Sequence, residues 1–393
     1  MSPTTLLLVI TGCLMLQPLS TDLYLASLPG LAAEFGASRA AVQQTLSLFV
    51  LGFGCAQLIS GPLSDRFGRR PVLMGGLAVY VAASVGCALA PALAPLVALR
   101  FGQAIGACTA AVVARAVIRD AYPPTEAAHV ISKSASIMGL VPMLGPIAGS
   151  YLQVLFGWRA AFVVHAVFGV ALAVAAGRLY RETNLHPNPE ATRPLGLVAI
   201  YARVARTGAF WAYTLPGALS YATLFIFISG SSFALIEVLG VPTQFFGYCF
   251  GLAVTGYLSG TFACRALLRR LGLDRTLSVG VAISLVSGLA FLALTVAGVA
   301  HWAVVVAAMF MTKFAHGINF SCGQAGATAR FPRETGAAAG LFGFLTMLAA
   351  LGAGTLVGAG HDGTLLPLAL TEAGAAVLLF AATRLTSGHR RAA

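Results

Sequence analysis

The sequence predicts an all-α integral membrane protein with twelve transmembrane helices in two pseudo-symmetric six-helix halves. Of its 393 residues, 58% are hydrophobic and only 9% are charged, whereas soluble domains carry about one-quarter charged residues. At about 20 residues per span, the chain has room for a dozen helices with short connections. The apolar runs are continuous rather than alternating, which disfavours a β-barrel.

The apolar runs also place the individual spans and the boundary between the halves. The only long polar stretch covers residues 179–208. We therefore expect an N-terminal half over 1–178, a cytoplasmic linker over 179–208 and a C-terminal half over 209–393. The twelve spans are expected at about 5–29, 41–60, 71–90, 95–118, 130–153, 159–178, 209–236, 244–268, 276–299, 302–328, 335–359 and 364–384.

The distribution of basic residues predicts the orientation in the bilayer. A net charge of +12 in a soluble protein would suggest a nucleic-acid partner. Here, however, 20 of the 24 lysines and arginines fall in the predicted inner loops with their adjoining span ends and in the C-terminal tail. A local excess of Lys and Arg marks the cytoplasmic side. We expect both termini in the cytoplasm, lipid around the spans and no nucleic-acid partner.

The connection between spans 2 and 3, which we call loop 61–71, reads GPLSDRFGRRP. It is too short to form a domain and too charged to lie in lipid, so we expect a turn at the cytoplasmic face. Its final proline suits the first turn of the next helix. A basic segment with a Gly and an Asp, at residues 269–275, occupies the equivalent place between spans 8 and 9. The residues of interest in loop 61–71 are Gly61, Asp65, Arg66, Gly68, Arg69 and Arg70.

Four charged residues fall inside predicted spans and away from the span ends: Asp22, Arg100, Lys313 and Glu372. Each is a candidate for function, because a charge at the centre of a bilayer costs about 2.5–3.5 kcal/mol on insertion scales. Asp22 and Arg100 both lie roughly 7 Å below the outer boundary of the hydrocarbon core, from a rise of about 1.5 Å per residue. We therefore expect them to pair across a cavity. The alternative is that both side chains reach outward to the headgroups.

A buried carboxylate beside an arginine can change its protonation when its hydration changes. Asp22 could thus take a proton from one side of the membrane and release it on the other, in competition with a substrate. Gln103, one turn from Arg100, extends the polar face, and Tyr24 lies next to Asp22 in the motif STDLYL. We assign both to the substrate cavity.

Span 10 carries three polar side chains at intervals of three residues, Lys313, His316 and Asn319. Residues at this spacing are neighbours on a helix surface, so we expect them to share one face that looks into the cavity. Glu372 in span 12 could neutralise Lys313, or could lie at a misjudged span end. Two roles of Lys313 stay open: a structural ion pair with Glu372 and a contact with the substrate.

Span 5 carries glycines and prolines at intervals of three and four residues. Such spacing allows close helix contact and a kink. The residues concerned are Gly139, Pro142, Gly145, Pro146 and Gly149.

Together these motifs resemble the Bcr/CflA subfamily of drug:proton antiporters, within the major facilitator superfamily. The resemblance rests on loop 61–71 and the span 5 glycines, and on residues 20–25, 99–106, 117–122 and 157–159. The sequence departs from the family pattern at Ala26, Ser150 and Lys313.

The resemblance implies a bacterial inner-membrane protein that exports antibiotics or amphipathic metabolites by alternating access, driven by the proton gradient. It also implies that Asp65, Arg66 and Arg69 close an inner gate against span 11, and that Arg100 belongs to the proton-coupling motif. Span 5 would carry the antiporter signature.

Other classes of function explain the sequence less well. The runner-up is a proton-coupled symporter that imports a small metabolite. The chain has no H-E-x-x-H motif, nucleotide-binding loop or repeated pore segment, so we do not expect an enzyme or a channel. The seven cysteines fall within predicted spans and lack C-x-x-C spacing, so we expect neither a disulfide nor a metal. We expect no cofactor and a functional monomer.

Overall fold

The computed structural model describes residues 3–123, 126, 127, 130, 133, 134, 137–332, 334–360 and 362–391. Within them the chain forms helices and turns and no strand. We number the helices in chain order. Those of the first half are α1 Pro3–Asp22, α2 Leu28–Glu34, α3 Arg39–Phe67, α4 Arg69–Ala88, α5 Leu93–Ala121, α6 Val141–Phe156 and α7 Arg159–Leu179.

The second half follows after a short helix in the linker. The helices are α8 Pro194–Ala205, α9 Gly208–Ser232, α10 Thr243–Val296, α11 Trp302–Ala329, α12 Thr335–Gly360, α13 Leu366–Leu385 and α14 Ser387–Arg391. A π-helical turn, Phe233–Val238, extends α9. A 3-10 turn, Leu25–Ser27, joins α1 to α2.

Helix α10 is two membrane spans joined by a turn at Gly272. Its 54 residues would extend about 80 Å as one straight helix, whereas the hydrocarbon core is about 30 Å thick. Gly272 has φ 74°, in the left-handed region that glycine enters without steric strain. The chain therefore reverses here, where the sequence predicted the loop between spans 8 and 9.

The described helices account for the twelve spans. Ten of them are long and apolar enough to cross a membrane, and α10 counts twice. The twelfth, α6, is a shorter apolar helix of 16 residues, because a turn at Gly139 and Leu140 precedes it. Residues 131, 132, 135 and 136 of predicted span 5 lie outside the described residues. The chain is a multi-pass membrane protein with the predicted twelve-span fold.

Loop 61–71 is more helical than the sequence suggested. We expected a turn over its whole length, but α3 runs to Phe67 and α4 begins at Arg69. Only Gly68, with φ 95°, interrupts the two helices. The expected turn is therefore a single residue, since a helix that leaves the bilayer can continue into water as long as its side chains are polar.

Two helix pairs join the halves. Helix α3 packs along α12, and α6 packs against the first arm of α10. At the predicted outer face, Arg39 Nη2 lies 2.5 Å from Glu237 Oε2 across the halves. The Tyr151 and Tyr248 hydroxyls lie 3.1 Å apart at the same end of the bundle. The halves are thus in contact at this face.

Candidate functional site

Arg100 is fully buried on α5 and bound by fixed partners. Its Nη1 donates to the Ser20 carbonyl oxygen at 3.0 Å and to Gln103 Oε1 at 2.6 Å. Its Nε donates to the Thr45 carbonyl oxygen at 3.3 Å. Three aromatic rings surround the guanidinium, with Phe49 the nearest at 4.3 Å from its ring centre. Such contacts stabilise a cation away from water. We call this group the arginine cluster.

Tyr24 and Gln103 belong to the arginine cluster, and their assignment to the substrate cavity stays a prediction. Both have 0% of their surface exposed. The Tyr24 ring lies 5.0 Å from the Arg100 guanidinium, and its hydroxyl donates to Thr45 Oγ1 at 3.0 Å. Gln103 Nε2 donates to Ser84 Oγ at 2.8 Å. Their polar groups are used within the first half.

The predicted contact between Asp22 and Arg100 is not formed. Arg100 Nη1 instead donates a hydrogen bond to the Ser20 carbonyl oxygen. Asp22 lies two residues further along α1 and thus about 200° around the helix axis. It faces α6, where a Cβ added at Gly145 would lie 3.3 Å from the Asp22 Cβ. Equal depth in the membrane stays a prediction, and depth alone does not fix helix rotation.

Asp22 has Lys313 of the second half as its opposite charge. The two groups interact electrostatically, yet no ion-pair contact within 4.0 Å joins them. Asp22 is 5% and Lys313 4% exposed. The Thr21 hydroxyl donates to Asp22 Oδ1 at 3.2 Å. We call Asp22 and Lys313 the interface pair.

The Lys313 ammonium is held by an aromatic ring. Its Nζ lies 3.8 Å from the centre of the Phe250 ring on α10. Within the described ranges no acceptor lies at hydrogen-bond distance from this nitrogen. A buried ammonium usually has two or three hydrogen-bond acceptors, since desolvation without them is unfavourable. Lys313 is therefore available to a further anionic or polar partner.

Glu372 does not neutralise Lys313, as the sequence had suggested, and does not lie at a span end. It lies within α13 and is 1% exposed. Its Oε1 accepts a hydrogen bond from the Thr312 hydroxyl at 2.9 Å, and its Oε2 has no partner. Thr312 and Lys313 are successive residues on α11, so they point about 100° apart. Glu372 lies on the Thr312 side.

The prediction that Lys313, His316 and Asn319 share one face is wrong for Asn319. Steps of three residues turn about 300°, so the first and last of these residues point about 120° apart. Asn319 Nδ2 donates to Ser284 Oγ on the second arm of α10 at 3.1 Å, and Asn319 is fully buried. His316 Nδ1 lies 3.1 Å from Ser220 Oγ on α9.

Two tyrosines near His316 were missed by the sequence reasoning. The rings of Tyr221 and Tyr257 lie 5.6 and 6.0 Å from that of His316, and both are half-buried. The Tyr221 hydroxyl accepts from Gln17 Nε2 of the first half at 3.5 Å. Tyrosines prefer the membrane interfaces, so their position in mid-span was the signal that could have singled them out.

At the predicted cytoplasmic face, Arg69 connects loop 61–71 to the end of α5. Its Nη1 lies 2.5 Å from Asp65 Oδ1, and its Nε lies 2.8 Å from Asp120 Oδ2. Arg66 Nη1 donates to Thr192 Oγ1 in the linker at 2.5 Å. The side chains of Asp65, Arg66 and Arg69 thus form their bonds within the first half and the linker. The expected contact with span 11 is not among their described bonds.

Glu182 in the linker caps the start of α4, a contact that the sequence reasoning also missed. Its two carboxylate oxygens accept the backbone N–H groups of Arg69 and Arg70, each at 2.9 Å. Burial disfavours the Glu182 carboxylate, but N–H donors including those of Asn184 and Thr183 outweigh burial and hold its pKa below the ordinary value. A negative charge at a helix N-terminus is favourable. The linker therefore fixes the position of loop 61–71.

Two of the span 5 glycines, Gly145 and Gly149, lie at the contact between α6 and the end of α1. Gly139 lies in the turn before α6, Pro142 in its first turn and Pro146 inside it. A Cβ added at Gly149 would overlap the Leu23 carbonyl oxygen, so only glycine fits this close approach. The role of these residues as an antiporter signature stays a prediction.

Twelve spans around buried opposite charges define a membrane transporter, not an enzyme. Residues 10–354 match the Major Facilitator Superfamily, and the chain belongs to that superfamily. The chain is 26% identical to a bicyclomycin resistance protein homolog of Haemophilus influenzae, over 93% of this chain and 91% of that protein. It is 32% identical to a chloramphenicol resistance protein of Pseudomonas aeruginosa, over 72% of this chain and 66% of the relative. These names agree with the resemblance to Bcr/CflA proteins.

Solved structures show the same fold. A bacterial homolog of the human lysosomal transporter Spinster, in an inward-facing and unoccupied conformation, superposes with a TM-score of 0.75 at 17% identity, covering 100% of this chain and 98% of that one. A D-xylose-proton symporter superposes with a TM-score of 0.73 at 16% identity, covering 98% and 99%. At such identities these structures establish the fold alone.

Proposed function

We propose that this protein is a proton-coupled exporter of antibiotics or amphipathic metabolites that works by alternating access. The observation that carries the proposal is the interface pair, in which a carboxylate and an ammonium from different halves lie buried without an ion-pair contact. The drug-resistance names of the relatives support an antibiotic as cargo. The tyrosines beside His316 offer aromatic surface to such a molecule.

Asp22 is the proposed proton carrier. It is buried at the end of α1, its opposite charge Lys313 belongs to the other half, and among the described residues it has only one hydrogen-bond donor. When ionised, Asp22 balances the charge of Lys313; when protonated, it does not. A substrate that needs the ionised carboxylate would be displaced by a proton, and exclusion of one by the other is the requirement for antiport.

Arg100 has a positioning role in this proposal. It binds the Ser20 carbonyl oxygen two residues before Asp22, so it holds the end of α1 on α5. Arg100 does not meet Asp22 directly. Its proposed contribution to proton coupling is thus the placement of the α1 end.

The basic inner loops support an orientation with both termini in the cytoplasm. The relatives that carry drug-resistance names are bacterial proteins, which supports the bacterial cytoplasmic membrane as the location. We retain the boundaries 1–178, 179–208 and 209–393 for the two halves and the linker. We also propose that the monomer is functional, since the interface pair comes from one chain.

A second candidate function, proton-coupled import of an anionic metabolite, follows from the same pair. Protonation of Asp22 leaves Lys313 without its counter-charge, so an anion would bind more tightly together with a proton than without one. Cooperative binding of this kind favours symport. The direction of transport separates the two candidates.

The test is drug efflux from energised cells that lack their own pumps. Wild type, Asp22→Asn and the control Asp362→Asn in an outer loop are compared for chloramphenicol and an unrelated antibiotic, with and without a protonophore. We expect efflux by wild type and control that the protonophore abolishes, and none by Asp22→Asn. Protonophore-sensitive efflux by Asp22→Asn would move the proton site elsewhere, to Glu372 first. Proton-driven uptake of an organic anion without efflux of any drug would overturn the exporter.

A further inference from the structure

A cavity of about 480 Å³ lies between the second arm of α10 and the end of α13. Helix α14 closes it on the predicted cytoplasmic side. Its volume is within the range of about 300–1,000 Å³ typical of small-molecule sites. It is lined by residues of the second half only, and neither member of the interface pair contributes to it. We call it the basic cavity.

Three arginines line the basic cavity: Arg275, Arg384 and Arg390. Arg275 and Arg384 are exposed, and in the described part of the chain no carboxylate forms an ion pair with either. Arg390 is 7% exposed, and its Nη2 donates to the Thr383 carbonyl oxygen at 2.5 Å. This bond directs a buried guanidinium along one wall. The cavity is therefore strongly electropositive.

The single acidic residue of the lining, Asp274, forms no ion pair with Arg275 or Arg384 among the described contacts. Asp274 Oδ1 accepts a hydrogen bond from the Tyr213 hydroxyl on α9 at 2.7 Å. It is thus held toward the bundle, on the side away from lipid. Ser278 and Ser387 add hydroxyl groups to the lining, which can donate to phosphate oxygens as well.

The wall further into the membrane is apolar. Ala282 and Phe380 line this end, and Ala282 lies seven residues from Arg275, or about 10 Å along the helix axis. The outer surfaces of the two helices face lipid, because Val286, Leu378 and Leu385 are 68%, 61% and 82% exposed. The basic cavity therefore combines a cationic end at the membrane surface with an apolar end in the hydrocarbon region.

We propose that the basic cavity binds the phosphate headgroup of an anionic phospholipid from the predicted cytoplasmic leaflet. Arginine binds phosphate through two parallel N–H donors, and basic pockets between transmembrane helices are suited to anionic headgroups. A soluble phosphate compound shares the headgroup chemistry. The apolar wall favours the lipid, because an acyl chain can cover Phe380 and Ala282, whereas a soluble anion leaves them in water.

The test uses the purified full-length protein in detergent. Native mass spectrometry counts bound phosphatidylglycerol and phosphatidylethanolamine, and thermal unfolding measures the effect of each lipid and of glycerol 3-phosphate as the soluble probe. The variants are Arg275→Gln with Arg384→Gln, and a control pair, Arg269→Gln with Arg270→Gln, which removes two exposed arginines at the end of the first arm of α10.

We expect one phosphatidylglycerol per wild-type protein, a higher Tm with this lipid, and no such effect of phosphatidylethanolamine. Each arginine near a headgroup contributes about fivefold to affinity, so the double variant should bind roughly thirtyfold more weakly, while the control pair keeps its affinity. Equal weakening by both pairs would show non-specific attraction and overturn the site. If millimolar glycerol 3-phosphate raised the Tm as much as phosphatidylglycerol does, the lipid would be overturned as the occupant of the basic cavity. Equal binding of both lipids by wild type would also contradict the proposal, even if the double variant failed to fold.

Discussion

Two buried cations in the middle of described spans, Arg100 and Lys313, are held in opposite ways. Arg100 donates to three oxygens of the first half and is fully buried. The Lys313 ammonium lies over the Phe250 ring and interacts electrostatically with the Asp22 carboxylate of the other half. A cation that is held by oxygens and aromatic rings of its own half stabilises that half, even though Arg100 Nη2 has no hydrogen-bond partner among the described residues. A cation without acceptors, placed between the halves, can respond to a proton or a substrate.

The largest effect is expected when Arg100 is removed, which tests whether this cation is structural. Arg100→Leu leaves the Ser20 carbonyl oxygen and Gln103 Oε1 without their donor, at about 1–3 kcal/mol for each buried group. The Thr45 carbonyl oxygen lies inside α3 and keeps its helical N–H donor. We expect a loss of at least about 2 kcal/mol in the free energy of unfolding, seen as a large fall in apparent Tm in detergent. The exposed Arg265 on α10 offers the control Arg265→Leu. An unchanged Tm for Arg100→Leu would mean that the arginine cluster is not structural.

In contrast to Arg100→Leu, Lys313→Met should impair drug efflux without lowering stability. Methionine fills a similar volume, and replacement of a poorly paired buried charge by an apolar group is often neutral or stabilising. We expect an apparent Tm equal to or above that of wild type, with drug efflux per folded molecule reduced by about tenfold or more, since a contact to a charged group contributes about 1.5–3 kcal/mol. Normal efflux together with a strongly lowered Tm would place Lys313 among the structural cations.

Glu182→Gln tests the linker contact through its pH dependence. The pKa of Glu182 is below the ordinary value in the folded protein, so its stabilising effect is complete above the ordinary glutamate pKa of about 4.3 and is lost as the pH falls further. We expect the variant to have a lower apparent Tm than wild type at pH 7. The difference should shrink below about pH 4. A difference that is constant with pH would exclude the carboxylate as its origin, and Glu190→Gln in the exposed part of the linker serves as control.

The smallest effect is expected at the outer ion pair. Arg39→Gln removes a partly exposed contact between the halves, of a kind that contributes about 0–1 kcal/mol. Opening at the outer face should increase by at most about fivefold, measured as faster hydrogen exchange at the π-helical turn 233–238. Arg159→Gln removes an ion pair with Glu34 inside the first half and should leave this exchange unchanged. Equal acceleration by both variants would show a general loosening.

The sequence was sufficient for the spans and insufficient for the contacts, for a physical reason. Hydropathy and arginine placement are local properties, so the twelve spans and the reversal at Gly272 could be predicted. Side-chain partners depend on how each helix is rotated, which a depth count cannot supply. Ser20 rather than Asp22 meets Arg100 for this reason.

Long-range partners were missed for a related reason. Glu182 is more than 110 residues from the first residues of the helix that it caps, and nothing in its neighbourhood marks it as a capping residue. Asp120 lies in the segment 117–122, which is part of the family resemblance, yet its contact with Arg69 depends on the packing of α4 on α5. By contrast, Lys313 was recognised at once, because a lysine in mid-span is rare in any sequence.

The central claim is that substrate and proton compete for Asp22. The most direct measurement is the release of protons when chloramphenicol is added to purified protein in weakly buffered detergent solution near neutral pH. We predict stoichiometric proton release by wild type and none by Asp22→Asn, with Asp362→Asn behaving as wild type. Equal release by wild type and Asp22→Asn would contradict the account, since the proton would then leave another group. Proton uptake on binding would show that substrate and proton bind together, as in a symporter.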